Sequence, residues 1–287
     1  MATTVLASFL QFLKNIEVTN NQGSIMAARQ GLVRTAIESR LNILDSFLTG
    51  SYVKDTMIGP LSAVDIDVMI VLSPNYHKEY TKANLLLKVQ EVLQERFPNT
   101  SRIRPDGQAV TIKFSDFSMD IVPCFNRIGG GYLIPDLDNN SWISTNPKLH
   151  AEYKTEQNIW HRGNLVPVIK MMKCWNRNNG YPFRSFYLEM LVIKILKNTS
   201  ITDFPSAIYF VLDKGREQIK YTIPDIFIDG NPIGGFKNIE TVDAAVSLFS
   251  MAYSKAVNAM HWNSRGDNQS AIYFWRELFG HSFPIYG

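Results

Sequence analysis

The sequence predicts an α+β protein whose first half mixes helices with strands and whose second half is largely helical. Two patterns carry this. From Val64 to Leu72 apolar residues alternate with others, the period of a strand, whereas beyond residue 148 they recur at three and four, the period of a helix. Hydrophobic residues make up 45% and charged residues 19% of the 287, enough apolar matter for one large domain or two modest ones.

In chain order, Val5, Leu6, Phe9, Leu10, Leu13 and Ile16 form a helical stripe over 3–17. A longer helix is expected next, carrying Ile25, Leu32, Val33, Ile37, Leu41, Leu44 and Leu48 and stopped by glycine at Thr49-Gly50. Val64, Ile66, Val68, Ile70 and Leu72 then read as a strand. Residues 82–96 read as a helix, and 109–114 and 117–124 as two strands joined in a hairpin at Ser115-Asp116. The stretch 126–147, with Gly129-Gly130-Gly131, Pro135 and Pro147, reads as loop. Helices follow over 148–159, 165–178, 184–198, 240–259 and 268–279, interrupted by a long loop over 221–238. There is no repeat, low-complexity tract or flexible linker, so two abutting parts are expected, 1–155 and 156–287.

The formal charge is +3, from 29 basic and 26 acidic residues, which makes no case for a protein that wraps duplex nucleic acid. Cys124 and Cys174 lie in apolar segments and form no C-x-x-C pair, which speaks against a disulfide framework or a zinc ribbon. They read as buried free thiols in a reducing cytoplasm. No apolar run approaches about 20 residues, and the N-terminus lacks the charge pattern of a signal peptide. A soluble, cytoplasmic monomer without membrane contact is the expectation.

The chemistry-bearing pattern is Val64-Asp65-Ile66-Asp67-Val68, which puts two carboxylates on one face of a strand. Two ionised carboxylates so close repel unless a cation lies between them, and Mg²⁺ takes oxygen ligands while leaving room for phosphate. A solvated strand face is the plain alternative. Asp120, in Met119-Asp120-Ile121-Val122-Pro123, adds a third acid inside a second apolar strand, where it is costly unless paired with a lysine or bound to metal. Three carboxylates can hold two ions about 3.5–4 Å apart, the arrangement of in-line phosphoryl displacement. Upstream stands Leu48-Thr49-Gly50-Ser51-Tyr52, where a Gly-Ser turn lets backbone N–H groups and a small hydroxyl approach phosphate oxygens. Its weight lies in the order: Gly-Ser, 13 residues, Asp-x-Asp, then a third Asp.

That order resembles the polymerase-β-like nucleotidyltransferase superfamily. Further blocks resemble its cGAS/DncV-like (CD-NTase) branch and the related oligoadenylate synthases: Gly50 through Thr56, Pro60 through Asp67, Asp120-Ile121-Val122-Pro123, and Gly130-Gly131-Tyr132-Leu133-Ile134-Pro135-Asp136. Trp142 through Pro147, Lys173-Cys174-Trp175-Asn176 and Ser185-Phe186-Tyr187-Leu188-Glu189 complete the set, over roughly residues 45–195. The resemblance implies a mixed-sheet catalytic core with N-terminal helices over 1–155, a helical oligoadenylate-synthase-like lobe over 156–287, and an active site in the cleft between them. It implies that Asp65 and Asp67 bind two Mg²⁺ ions (Mn²⁺ being a substitute), and that Asp120 completes a metal site and takes the proton of the attacking hydroxyl. Gly50 and Ser51 then meet the donor triphosphate, Lys173 and Ser185 its phosphates, and Phe186 stacks on a base.

The residue chemistry agrees, since lysine suits a phosphate as a point charge and an aromatic face stacks on any base. Lys173 as an ordinary exposed helix residue, Lys170 in its place and Phe186 as a core residue stay open, while Trp142 and Trp175 read as packing. Asp55 departs from the small or basic residue that many relatives carry there. With one cysteine in the second lobe there is no zinc insertion, so activation by double-stranded DNA is not expected. The resemblance is to the compact bacterial branch, which joins ATP and other nucleoside triphosphates into cyclic di- or trinucleotide signals in anti-phage (CBASS) defence. A regulatory protein acting at the C-terminal Gly287 would suit that branch; an uninformative tail is the competing reading. The rivals are an RNA- or tRNA-end nucleotidyltransferase, a glycosyltransferase using Asp-x-Asp, and a catalytically dead binding module.

Overall fold

The computed structural model describes residues 2–18, 20–60 and 65–287. The chain folds into two compact units, one of Val18–Glu152 and one of Met1–Glu17 with Tyr153–Gly287.

The first unit is built on a mixed sheet. Strands β1 (Ile43–Leu48), β2 (Asp65–Leu72), β3 (Ile103–Asp106), β4 (Ala109–Lys113) and β5 (Ser118–Asn126) lie in the order β1-β2-β5-β4-β3. β6 (Tyr132–Asp136) pairs with the end of β5, and β7 (Ser141–Thr145) pairs with β6. Only β2 and β5 run parallel among these pairs, with Asp65 opposite Ser118 and Asp67 opposite Asp120. One face buries Ile66, Val68, Ile70, Met119 and Ile121 beneath two helices, α2 (Asn20–Glu38) and α5 (Lys82–Arg96), which supply Met26, Val33, Ile37, Leu85, Leu86 and Val89. The opposite face carries Met69, Val71 and Cys124, packed with Tyr132 and Ile134 of β6. Burial pushes the Cys124 thiol up to about 12 and raises that of Cys174, so both are buried free thiols held protonated. Two short helices, α3 (Gly50–Val53) and α4 (Asn75–Glu79), fill the connections around β2.

Several expectations need correction here. The long helix stops at Glu38, and Ile43–Leu48 is a strand antiparallel to β2. Leu41, Leu44 and Leu48 satisfy a helical spacing, but Ile43 and Phe47 complete a run that the neighbouring strand captures, and such pairing overrides propensity. Within α2 it is Met26, Val33 and Ile37 that turn inward, while Ile25 and Leu32 are exposed. Thr49-Gly50 therefore opens α3 rather than closing a helix. The stretch 126–147, expected as loop, holds the β6–β7 hairpin. Val64, expected at the start of β2, and the rest of Leu61–Val64 lie outside the described residues.

The second unit is helical: α6 (Pro147–Trp160), within which the division falls, then α7 (Leu165–Asn178), α8 (Ser185–Leu196), α9 (Phe204–Gln218), α10 (Val242–Ser264) and α11 (Asn268–Phe279). A two-residue ladder, β8 (Ile223–Pro224) with β9 (Pro232–Ile233), lies in the stretch expected as a long loop. The N-terminal helix α1 (Val5–Ile16) also belongs to this unit, which differs from the expected 1–155 block. Its Phe9 and Phe12 find their partners in Trp275, Phe279 and Phe283. No helix among the described residues is long and apolar enough to cross a membrane.

Just past α6, the ring nitrogens of His161 are buried with no hydrogen-bond partner among the described residues. Burial lowers its pKa from the ordinary 6.5, so below that value the unfolded chain takes up a proton that the native chain refuses. This contribution is whole above about pH 6.5 and is lost as pH falls towards the depressed folded-state value. His161→Leu is therefore expected to flatten the decline of Tm between pH 7 and pH 5. Thermal melts with the same slope as wild type would contradict this.

Candidate active site

Alternation fixes where the three aspartates point. Ile66 and Val68 face the helix-covered core, so Asp65 and Asp67 share the opposite face with Met69 and Val71. On β5, Met119 and Ile121 face the core, which leaves Asp120 with Val122 and Cys124 on that same opposite face. Asp67 and Asp120 are register partners on adjacent parallel strands, roughly 4.8 Å apart at the backbone. Asp65 is exposed, whereas Asp67 and Asp120 are half-buried. The structure thus brings the three predicted carboxylates to one end of one sheet face.

The Gly-Ser turn arrives beside them. At the end of β1 the Thr49 amide donates to the Asp67 carbonyl (2.9 Å), and Gly50 follows with φ at +67°. A Cβ on Gly50 would stand 1.8 Å from Asp67 Oδ2 and 2.7 Å from its Cγ. Glycine is required twice over, by the left-handed backbone and by the carboxylate lying against it. The turn closes where the Thr56 amide donates to the Ser51 carbonyl at 2.9 Å. Asp55 has φ at +52°, a conformation that Asp tolerates better than most residues. Gly50→Ala is expected to lower activity about a hundredfold by displacing the Asp67 carboxylate by an ångström or more. Steady-state rates on folded protein check this, and activity within threefold of wild type would refute it.

Sequence reasoning missed Thr111, on β4, whose hydroxyl donates to Asp120 Oδ1 at 2.6 Å. Thr111 is the antiparallel register partner of Asp120, a relation that only strand pairing reveals. Among the described residues no three His, Cys, Asp or Glu side chains converge as a ready-made ligand group. The fit to a hard divalent cation lies in the donor set, carboxylate oxygens mounted on adjacent strands, and in the side-chain-free surface that Gly50 presents to Asp67.

The other predicted residues belong to the helical unit. Lys173, on α7, is buried, with Nζ 2.9 Å from Glu189 Oε1 on α8. Lys170 is buried too and lies 3.9 Å from Glu17. Ser185 is exposed in the first turn of α8 and Phe186 beside it is half-buried. The N-cap residue Arg184 makes no side-chain cap hydrogen bond to that turn. Asn176, one turn after Lys173, donates to the Phe183 carbonyl (2.9 Å) and accepts from its amide (3.1 Å), fixing the connection from α7 to α8. Trp175 packs on Phe183 and Phe249, and Trp142 on His77 and Phe125, so both serve as packing residues.

Comparison with known proteins decides the family. The model of the Second Messenger Oligonucleotide or Dinucleotide Synthetase (SMODS) domain matches residues 3–158, more than half of the chain. The chain belongs to this family. Among relatives, the cyclic AMP-AMP-AMP synthase of an Acinetobacter species is 26% identical over 298 aligned positions, covering 98% of this chain and 86% of that protein. The CBASS oligonucleotide cyclase CdnC of Escherichia coli is 23% identical, covering 86% and 85%. The solved structure of Escherichia coli MS115-1 CdnC with ATP superposes with a TM-score of 0.76 at 19% identity, covering 99% of this chain and all of that one. Vibrio cholerae DncV cyclic AMP-GMP synthase, in complex with its linear intermediate, gives 0.77 at 12% identity, covering 100% and 98%. The mixed sheet with a helical unit is thus the fold of these SMODS-type nucleotidyltransferases, and the family's chemistry depends on divalent metal.

Proposed function

We propose that this protein is a Mg²⁺-dependent nucleotidyltransferase that joins nucleoside triphosphates into a cyclic di- or trinucleotide second messenger, releasing pyrophosphate, in cytoplasmic CBASS anti-phage signalling. The observation that carries the reading is the pairing of Asp67 with Asp120 across parallel strands, with Asp65 two residues along and Gly50 against Asp67.

Asp65, Asp67 and Asp120 are the residues that would hold two divalent cations. When bound, such cations neutralise charge developing on the reacting α-phosphate and on the leaving pyrophosphate. Asp120 accepts the proton of the attacking ribose hydroxyl, and the Thr111 hydroxyl fixes its rotamer for that task. The Gly50-Ser51 turn offers backbone N–H groups and a hydroxyl to the triphosphate. Lys173 and Ser185 are proposed phosphate contacts, supported by the side-chain-uncapped first turn of α8, and Phe186 a base-stacking surface. A second transfer on the linear intermediate closes the ring.

The relatives described are named for different products, cyclic AMP-AMP-AMP and cyclic AMP-GMP, so membership of the family does not fix which bases are joined. The RNA- or tRNA-end alternative finds no support among them. Incubation with Mg²⁺ and labelled triphosphates, singly and in pairs, is expected to give phosphatase-resistant products identifiable by mass. Extension of an RNA end in place of such products would overturn the reading.

A further inference from the structure

The ion pair between Lys173 and Glu189 stands apart energetically. Its side chains are 7% and 3% exposed, whereas the other ion pairs described are open to solvent on at least one side. Burying two charges costs desolvation that their attraction seldom repays, and an apolar pair of similar volume usually serves stability as well or better. Stability alone is therefore a poor account of this pair.

Its place suggests another. Glu189 follows Ser185 by four residues on α8, so the two share a helix face one turn apart, about 6 Å along the axis. The pair thus lies one turn beneath the uncapped end of α8, and the Asn176 clamp onto Phe183 holds α7 and α8 in that alignment. A lysine ammonium is a compact point charge on a flexible stem, useful for binding an anion at a defined place only if something seats it.

We infer that Glu189 is a positioning residue that seats the Lys173 ammonium for a nucleoside triphosphate. The inference rests on the proposed role of Lys173 as a phosphate contact. Without that carboxylate the ammonium loses the charge that holds it against α8 at 2.9 Å, and its position for a triphosphate is less well defined. Triphosphate affinity falls with it.

The test uses the full chain with Mg²⁺ and ATP, measuring KM, kcat and Tm for E189Q, E189D, K173M and K173M/E189Q. E189Q is expected to raise KM for ATP about tenfold with kcat within about threefold of wild type, and E189D to fall between the two. In the K173M background E189Q should add nothing, because it acts through the lysine. A KM effect that persists undiminished beside K173M, or an E189Q that lowers Tm and leaves KM unchanged, overturns the inference. Should E189Q fail to fold, E189D carries the same test, and a wild-type KM in that variant overturns it. A wild-type protein that binds no nucleoside triphosphate overturns the functional reading first and this inference with it.

Discussion

Replacing Asp67 by asparagine is expected to lower product formation roughly a thousandfold, about 4 kcal/mol of transition-state stabilisation, while leaving Tm unchanged or higher. The two halves of this expectation have one cause. Asp67 faces Asp120 across parallel strands and stands two residues from Asp65, so three acids crowd one end of a sheet face. Like charges so placed oppose folding, and an isosteric amide relieves that repulsion without changing shape. A half-buried carboxylate set opposite another of like charge marks a place for chemistry. Asp120→Asn should behave similarly, since its amide oxygen still accepts from Thr111 while the proton acceptor is gone. Pyrophosphate release and product mass on purified, folded variants measure the effect. A variant retaining a tenth of wild-type activity would refute the assignment.

How much of the fold and site is legible in the sequence depends on the range of the interactions. β2 and β5 are readable because alternation holds where each begins, over 65–68 and 118–122, and that alternation also puts the three aspartates on one face. β3 and β6 escape because each is short and contains a proline, Pro105 and Pro135, which reads as punctuation. α9 escapes although Asp203 caps it by accepting from the Ser206 amide at 2.8 Å, with Pro205 in its first turn. That signature is local and should have been sufficient. Glu189 and Thr111 are a different matter. Lys173 and Glu189 sit on different helices, and Thr111 meets Asp120 only through hairpin register, so local pattern names one partner of each pair but not the contact.

The placement of α1 is the strongest case of long-range control, and it carries the second large effect. Phe9→Ala is expected to cost about 3–5 kcal/mol of stability, the range for truncating a buried phenylalanine. Phe9 is 0% exposed, with Trp275 and Phe283 meeting its ring edge-on at centroid distances of 5.0 and 5.2 Å and Phe279 at 6.0 Å. Phe12 adds contacts to Phe279 and Phe283 at 4.7 and 5.2 Å. The Val5 amide donates to Asn268 Oδ1 (3.2 Å), so the first helix is tied to the last by both apolar and polar contacts. Leu10, on the same helix but 49% exposed, is the internal control: Leu10→Ala should stay within about 0.5 kcal/mol. Urea unfolding distinguishes the two substitutions, and a loss below about 1 kcal/mol for Phe9→Ala would mean that the aromatic cluster does not hold α1. Hydrogen exchange localises the effect. Because Phe9 belongs to the helical unit, amides of α1 and α11 should lose protection first while those of β2 and β5 keep theirs.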